Sequence, residues 1–354
     1  MATLKDNLKM ARLFQLLSAN GVDSKPFQEL NGSYLERLKR LFQSGHLNFL
    51  IGSGASTPAI PTMGNLENEL TELYQQGSAD AKAEASAKEL DFKLSLKPVT
   101  EALAGQTLPQ NIQLVLASYT ILLQHIEAIL NNRSNSLLPK QANIFTTNYD
   151  LFLERASQTI ASIILNDGFD RSSRLNSCFE YCAKNFFNSV YHNGTVYGYK
   201  VELPSINLLK LHGSCSWKVQ DSKILFDVGN EDPTIILPRK QKFEETVINQ
   251  TYYELLRLYA NELDKENVLL LVFGFSFADE HILSITQRAL KNPTLQIIVF
   301  CFSCESKTGY EEMFQAYSNV DIVFFDEELL TFDTLNKILG YVIPLRTLSL
   351  VEAI

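Results

Sequence analysis

Six short runs of mostly apolar residues, separated by stretches with helical spacing, constrain the fold of this chain more than any other feature. The runs lie at 47–51, 142–145, 208–211, 268–273, 295–300 and 321–325. Because they are apolar almost throughout rather than at alternate positions, they are typical of strands in a parallel sheet that is buried on both faces. The sequence therefore predicts an α/β fold with a Rossmann-like, doubly wound, mostly parallel sheet.

The intervals between these runs predict one catalytic domain over residues 46–330, interrupted by two insertions. The first is a helical layer over about 65–140, which is longer than a crossover between neighbouring parallel strands requires. The second covers about 163–205, is rich in aromatic residues mixed with Asn and Gly, and is interpreted as an irregular cap beside the site. The chain shows no internal repeat or low-complexity linker that would favour two independent domains.

Both ends of the chain predict helices outside this domain. Segment 1–45 begins with an amphipathic pattern whose apolar residues recur at helical spacing: Leu4, Leu8, Ala11, Phe14 and Leu17. Segment 331–354 ends with a further set of apolar residues: Leu345, Leu348, Leu350, Val351 and Ile354. These residues either pack on the domain itself or form an assembly surface, and the pattern leaves both alternatives open.

Charge, cysteine content and apolar run length restrict the environment and the partners. A formal net charge of -9 disfavours direct binding of nucleic acid, which needs an excess of Lys and Arg on at least one face. The five cysteines form no regular framework and no export signal is visible, which favours the reducing cytoplasm. The strand-like apolar runs are far shorter than the roughly 20 residues of a membrane-spanning helix, so no membrane association is predicted.

The first candidate motif is Gly52-Ser53-Gly54-Ala55-Ser56, which follows the first predicted strand. Glycines in such a turn let the backbone approach a pyrophosphate, and free N–H groups can receive its oxygens. The alternative is an ordinary tight turn. The motif lacks the third glycine of the common dinucleotide fingerprint, so a typical dehydrogenase is disfavoured.

The second candidate motif is Thr146-Thr147-Asn148-Tyr149-Asp150, which follows the second predicted strand. Ligands of open α/β sheets lie beyond the carboxyl ends of the strands, so polar side chains here are candidates for binding or catalysis. The alternative is a purely structural Asx turn with Asp150 capping the next helix.

Two further strand ends carry polar groups. His212, followed by Gly213, can act as a general base near neutral pH, with the glycine allowing close approach of a ligand. Gly274 and Ser276 form a Gly-x-Ser turn that could hold an adenosine or ribose. Asp279, which follows them, is either a ribose acceptor or a helix N-cap.

These four motifs, in this order, resemble the sirtuin superfamily over roughly residues 45–305. The resemblance implies NAD as the bound molecule, with its phosphates at the first motif and Pro61 in the loop that covers it. It further implies a pocket for nicotinamide and ribose lined by Thr146, Asn148 and Asp150, a catalytic role for His212, and adenosine contacts at Gly274 and Ser276. Gly213 and Asp279 are grouped with the cofactor-binding residues.

The chain departs from deacylase sirtuins, which carry a four-cysteine zinc module between the His-Gly motif and the Gly-x-Ser turn. Cys301 and Cys304 lie after that turn without a second pair, so no zinc is expected. The motifs look closer to sirtuin-like domains of bacterial antiphage defence, which hydrolyse NAD as their substrate. That resemblance implies a homo-oligomer and a protein partner such as a HerA-type ATPase.

Asn148, His212 and Asp150 are therefore the predicted catalytic residues. Asn148 would hold the ribose hydroxyls and the attacking water, His212 would be the general base, and Asp150 would stabilise positive charge or orient Asn148. The competing functions are a non-catalytic sensor and scaffold that binds NAD or ADP-ribose, a nucleotide-binding oxidoreductase, and an NAD-dependent protein deacylase.

Overall fold

The computed structural model describes residues 14–18, 30–62, 66–133, 137–171, 179–193, 200–236, 247–325 and 328–342. The strands are β1 (Phe14–Ser18), β2 (His46–Ile51), β3 (Gln141–Thr146), β4 (Ile164–Asn166), β5 (Phe169–Asp170), β6 (Glu180–Tyr181), β7 (Tyr191–Asn193), β8 (Lys200–Glu202), β9 (Ser205–Lys210), β10 (Trp217–Gln220), β11 (Lys223–Phe226), β12 (Val268–Phe273), β13 (Gln296–Phe300) and β14 (Val320–Phe325). The α-helices are α1 (Leu30–Ser44), α2 (Leu66–Gln76), α3 (Ala79–Ala104), α4 (Gln110–Asn131), α5 (Phe152–Ser157), α6 (Val247–Leu263), α7 (Glu280–Ala289), α8 (Cys304–Phe314) and α9 (Phe332–Val342). Short 3₁₀ turns occupy Ser53–Ser56 and Ala183–Phe187.

In the described part of the chain, the main sheet has eight strands in the order β1-β14-β13-β12-β2-β3-β9-β4. All neighbouring pairs are parallel except β1 with β14, which is antiparallel. The six predicted strands correspond to β2, β3, β9, β12, β13 and β14, which lie side by side in this sheet. The predicted fold class, a Rossmann-like and mostly parallel sheet with an inserted helical layer, is confirmed.

Apolar layers cover both faces of this sheet, as the uninterrupted apolar runs predict. Phe49 of β2 faces a layer that includes residues of α1, α3, α4 and α9. Leu50, the next residue, faces the opposite layer, which includes residues of α6, α7 and α8. Full burial of one such side chain contributes about 1.5–3 kcal/mol relative to exposure, so the central strands are fixed from both sides.

A row of asparagines crosses four neighbouring strands in register. The Asn207 Nδ2 donates to Asn143 Oδ1 at 2.9 Å, and the Asn143 Nδ2 donates to Asn48 Oδ1 at 2.8 Å. Asn166 of β4 extends the row by donating to Asn207 Oδ1 at 2.9 Å. Because a shift by one residue would turn each amide to the other face of the sheet, this row fixes the relative register of β2, β3, β9 and β4.

Replacement of Asn143, Asn143→Leu, is expected to lower the free energy of unfolding by about 2–4 kcal/mol, because Asn48, Asn207 and Glu262 each lose one hydrogen bond. Urea denaturation followed by circular dichroism measures the change. Asn132→Leu is the control, since its exposed side-chain amide bonds to a carbonyl of the helix that it ends, and to no other described residue. Equal stability of the two variants would show that the row does not contribute to the fold.

The predicted N-terminal amphipathic helix is wrong over Phe14–Ser18, which is strand β1. This strand pairs with the edge of β14, from Phe14 opposite Phe325 to Ser18 opposite Asp321. The edge of β14 presents N–H and C=O groups that only an extended partner can satisfy, and this outweighs weak helical periodicity. Leu4, Leu8 and Ala11 lie outside the described residues.

The two insertions differ in regularity. The helical layer predicted between β2 and β3 contains α2, α3 and α4. The prediction of an irregular cap at about 163–205 is wrong in part, because β4 joins the main sheet and β5 and β6 pair with β10 and β11 in a small antiparallel sheet. Cross-strand pairing of aromatic residues that have no helical period explains this order, with Phe169 edge-on to Trp217 and Phe226.

Helix α4 is the one helix among the described residues that is long and apolar enough to cross a membrane by length and composition alone. It belongs to the core, since Val115, Leu122 and Ile126 are buried in the layer over β2 and β3. Helix α9 packs in the same layer through residues that include Leu335 and Leu339. The apolar residues predicted at 345–354 lie outside the described part of the chain.

Candidate active site

The carboxyl ends of β12, β2, β3 and β9 lie side by side at one edge of the sheet. Phe273 is opposite Ile51, Ile51 is opposite Thr146, and Thr146 is opposite Lys210. Each of the four sequence motifs begins within two residues of one of these positions. The structure therefore brings all four motifs to the edge where ligands of open α/β sheets bind.

The glycines of the first and fourth motifs pack against each other. A Cβ on Gly52 would lie 2.4 Å from the Gly274 carbonyl oxygen, and a Cβ on Gly274, whose φ is +65°, would lie 2.6 Å from the Ala55 nitrogen. The N–H groups of Gly52, Gly54 and Ala55 donate to the carbonyls of Phe273, Gly274 and Gly52. These three N–H groups are therefore not free to receive phosphate oxygens, because the crossing of the two loops engages those of Gly52 and Gly54 and the turn itself engages that of Ala55.

The residues of the first and fourth motifs, and Pro61 after the first, differ in their exposure to solvent. Gly54, Pro61 and Ser276 are exposed and Ser53 is half-buried. Ala55 and Ser56 are buried, so they support the turn from the interior of the protein.

Thr146 is fully buried and holds the second motif against the first. Its Oγ1 donates to the Ile51 carbonyl at 2.8 Å and accepts from the Asn148 backbone N–H at 3.0 Å. Thr146 therefore positions the loop that carries Asn148. These bonds do not place its hydroxyl toward a ligand.

The side-chain amide of Asn148 is fixed at its nitrogen, whereas its oxygen is open only in the sense that no described residue hydrogen-bonds to it. Its Nδ2 donates to the Gly52 carbonyl at 3.0 Å, to Ser56 Oγ at 3.1 Å and to Tyr119 OH at 3.2 Å. Its Oδ1 is buried and has no hydrogen-bond partner among the described residues. A buried acceptor without a donor is costly, so this oxygen is suited to accept a hydrogen bond from a bound molecule or water.

Asp150 joins the same cluster through Ser56, whose Oγ donates to Asp150 Oδ2 at 2.6 Å. The other carboxylate oxygen accepts from the backbone N–H of Phe152 at 3.2 Å, at the first residue of α5. Asp150 thus makes the Asx-turn contact of the structural alternative, but the predicted capping is wrong, because the N-cap of α5 is Leu151.

A buried ion pair connects the second and third motifs. Lys210 Nζ lies 2.9 Å from Glu154 Oε1 and also donates to the backbone carbonyl of Asp150. Burial raises the pKa of Glu154, and the positive charge of Lys210 opposes that rise. The pair fixes the end of β9 against the start of α5. Lys210, the last residue of β9, lies two residues before His212.

His212 and Asp279 form a second buried pair, with Nε2 2.9 Å from Oδ2. The other oxygen of Asp279 accepts from the backbone N–H groups of His281 and Ile282 and so caps α7. Burial alone would raise the pKa of Asp279, but the hydrogen bond and charge of His212 and these backbone donors bring it below its ordinary value. The N-cap prediction is confirmed, and both oxygens are engaged, which favours an orienting role over the predicted contact with ribose.

Gly213 is required by the backbone. Its φ is +84°, and a Cβ there would lie 2.5 Å from the carbonyl oxygen of Thr234. Ile236 donates its N–H to the His212 carbonyl at 2.8 Å and accepts from Tyr149 OH at 2.9 Å. The glycine thus accommodates a neighbouring chain segment that supports His212, where the sequence predicted a ligand.

Tyr119, Lys210 and Glu154 are site residues that the sequence reasoning missed. Tyr119 lies in the helical insertion, 29 residues before Asn148, and its contact could not be found from spacing. Lys210 did give a signal, since it is a charged residue within the apolar run of β9. Among the described residues no group of three or more His, Cys, Asp or Glu side chains is placed to hold a metal ion. Cys301 is buried and its thiol bonds to the Ser303 carbonyl.

Comparison with known protein families matches residues 142–323 to the SIR2-like domain. The matched region contains the second, third and fourth motifs, and the Gly52–Ser56 turn precedes it. No individual curated protein matches the chain.

Proposed function

Because the chain belongs to the SIR2-like domain family, we propose that it is an NAD hydrolase that cleaves the bond between nicotinamide and ribose. SIR2-like domains bind NAD, and NAD-related activity is common to the family. The specific reaction proposed here yields nicotinamide and ADP-ribose from NAD and water, with release of one proton.

One arrangement carries this proposal. At a single edge of the sheet, Asn148 has an open, buried Oδ1, and His212 is paired with the carboxylate of Asp279. The first can accept a hydrogen bond from a ribose hydroxyl or from water. The second resembles other catalytic histidines whose orientation and protonation are set by a carboxylate.

The protein groups can be assigned complementary tasks. The ionised Asp279 accepts a hydrogen bond from His212 Nε2, which leaves Nδ1 as the basic nitrogen that takes a proton from the attacking water or a ribose hydroxyl. Asn148 holds the ribose through Oδ1. Asp150 orients Asn148 through Ser56, and its negative charge favours the positive charge that develops on the ribose carbon as nicotinamide leaves.

The exposed turn residues are assigned to cofactor binding. Ser53 and Gly54 are proposed to contact the phosphates, and Pro61 and Ser276 the remainder of the dinucleotide. Gly52, Gly213 and Gly274 contribute indirectly, because they allow the loops to pack closely.

The test is incubation of the purified chain with NAD, with nicotinamide and ADP-ribose quantified by liquid chromatography. Equal amounts of both products in the absence of an acyl-lysine peptide support hydrolysis. NAD binding in calorimetry without turnover, alone or with a candidate partner, would instead favour the sensor and scaffold function. Turnover that requires an acetyl-lysine peptide would favour a deacylase.

The proposed cellular role rests on the resemblance of the four motifs to sirtuin-like domains of bacterial antiphage defence. We propose that the protein acts in the cytoplasm, depletes NAD during antiphage defence, and is switched on by assembly with copies of itself and with a HerA-type ATPase. Size-exclusion chromatography with light scattering, with and without the ATPase, tests assembly. NAD levels in infected cells that carry wild-type or His212→Ala protein test the role.

A further inference from the structure

The helical insertion contributes a side chain to the site at the edge of the sheet. Tyr119 of α4 is 1% exposed, and its hydroxyl lies 3.0 Å from Ser56 Oγ and 3.2 Å from Asn148 Nδ2. Its ring stacks on Phe152 with centroids 5.4 Å apart and planes at 9°, and meets Phe332 edge-on at 4.9 Å. Contacts from α5 and α9 therefore fix the position of the hydroxyl.

The directions of these hydrogen bonds follow from the number of hydrogens. Ser56 has one hydroxyl hydrogen, which it donates to Asp150 Oδ2. The bond between Ser56 and Tyr119 must then run from the phenol to Ser56 Oγ. Burial, followed by the nearby charge of Asp150, raises the pKa of Tyr119 well above its ordinary value, so the phenol stays protonated and keeps this donor.

The same hydroxyl restricts the amide of Asn148. The phenol donates its hydrogen to Ser56, so its oxygen is available to accept from Asn148 Nδ2. Three acceptors, on Gly52, Ser56 and Tyr119, then surround the amide nitrogen and share its two hydrogens. A flipped amide would place Oδ1 against the Gly52 carbonyl oxygen, which is repulsive. Tyr119 thus helps to keep Oδ1 as the open acceptor of the site.

We propose that Tyr119 is a positioning residue for hydrolysis of NAD: its hydroxyl orients the Asn148 amide and the Ser56–Asp150 pair, so that packing of the helical insertion on the sheet sets the geometry of the site. This inference rests on the proposed function. It gives the insertion an indirect part in the reaction, through the hydrogen-bonded chain from Tyr119 to Ser56 to Asp150, with Asn148 donating to the first two members.

Tyr119→Phe removes only the hydroxyl and keeps the ring. Turnover of NAD per site is expected to fall about tenfold, because loss of fixed orientation at a reacting group is costly even when all other groups remain. The matched control is Tyr259→Phe, which removes one hydrogen bond, to Thr286 Oγ1 at 2.8 Å, from an equally buried tyrosine in the opposite layer. The melting temperature of Tyr259→Phe should fall by about as much as that of Tyr119→Phe, while its turnover stays within twofold of wild type.

A double-mutant cycle separates positioning from a merely structural role. If Tyr119 acts through Asn148, Tyr119→Phe should lower turnover in the wild-type background and have little further effect in the Asn148→Ala background. Equal effects in both backgrounds, or an effect no larger than that of Tyr259→Phe, would overturn the inference while leaving hydrolysis of NAD intact.

Calorimetry with NAD keeps the inference testable if wild-type protein shows no turnover. In that case the proposed function fails, and the cycle is measured on the dissociation constant for NAD. Non-additive effects of Tyr119→Phe and Asn148→Ala on binding would support positioning of the amide by Tyr119, and additive effects would refute it.

Discussion

Asn148→Ala is expected to lower the turnover of NAD by about 100- to 1,000-fold, which is the usual cost of removing one positioned hydrogen-bonding group that stabilises a reaction's transition state. The physical reason is the double role of the amide. Nδ2 is held by the Gly52 carbonyl at 3.0 Å and by two hydroxyls, whereas Oδ1 is buried and open. Alanine removes the group that accepts from the ribose or water. Release of nicotinamide over time measures the effect.

Stability must be followed in parallel, because the variant also leaves the Gly52 carbonyl without this donor. Asn336→Ala is the matched control. Asn336 is equally buried, donates one hydrogen bond to the Ser118 carbonyl at 2.9 Å and also has an unpartnered Oδ1, but it lies on α9 outside the cluster. Turnover should survive in Asn336→Ala at comparable loss of melting temperature. Full turnover in Asn148→Ala would remove Asn148 from the mechanism.

His212→Ala is expected to lower turnover by about 100- to 10,000-fold, the range for loss of a general base. Asp279→Asn should give a smaller loss, of at least about tenfold, since the imidazole remains but loses the carboxylate that orients it 2.9 Å away. Asparagine is also a good N-cap, so α7 should keep its start. In the double variant the two losses should not add, because Asp279 acts through His212.

The pH dependence of stability provides an independent check on the pair. The pKa of Asp279 is lowered in the folded protein, so its ionised form contributes stability above the unfolded pKa of about 3.9. That contribution is lost as the pH falls through the lower, folded value. The difference in melting temperature between wild type and Asp279→Asn should therefore be constant above the unfolded pKa and shrink as the pH falls below it toward the lower, folded pKa.

Asp333→Asn serves as the control for these measurements. Asp333 also lies in the first turn of a helix, but its carboxylate is exposed and pairs with Lys337 on the surface. This variant should retain wild-type turnover. Asp279→Asn with wild-type turnover would show that the carboxylate only caps α7.

The sequence predicted the sheet well because the evidence for it is local. The runs at β2, β3, β9, β12, β13 and β14 are short and apolar, with at least one helix between each and the next, and this combination is compatible with few other folds. Phe14–Ser18 could not be assigned in the same way, because its strand conformation depends on the distant edge of β14. The conformation of a short apolar segment with mixed periodicity is decided by the element on which it packs.

The candidate site likewise contains residues that the sequence predicted and partners that only the structure shows. Asn148, His212 and Asp279 were found from sequence, since each follows a recognisable strand and polar groups concentrate at those ends. Their partners were not found. The bond from His212 to Asp279 spans 67 residues, and the contact of Tyr119 with Asn148 depends on how α4 crosses the sheet.

The glycines illustrate why residue type alone is insufficient. Sequence indicates that Gly52 and Gly274 need close approach of backbone, but it cannot say what approaches them. In the structure, the loop that contains Gly274 approaches Gly52, and the loop that contains Gly52 approaches Gly274. The distances leave no room for a Cβ on either residue.

The sequence by itself thus determined the six strands that form the middle of the main sheet, which of their ends carry polar groups, and therefore where a ligand is expected to bind. The tertiary structure alone decided which hydrogen bonds those groups make, because the choice depends on atoms brought together from the insertion, α7 and four strand ends. Periodicity and turn chemistry act over a few residues, whereas orienting an amide or an imidazole needs partners that only the packed fold supplies.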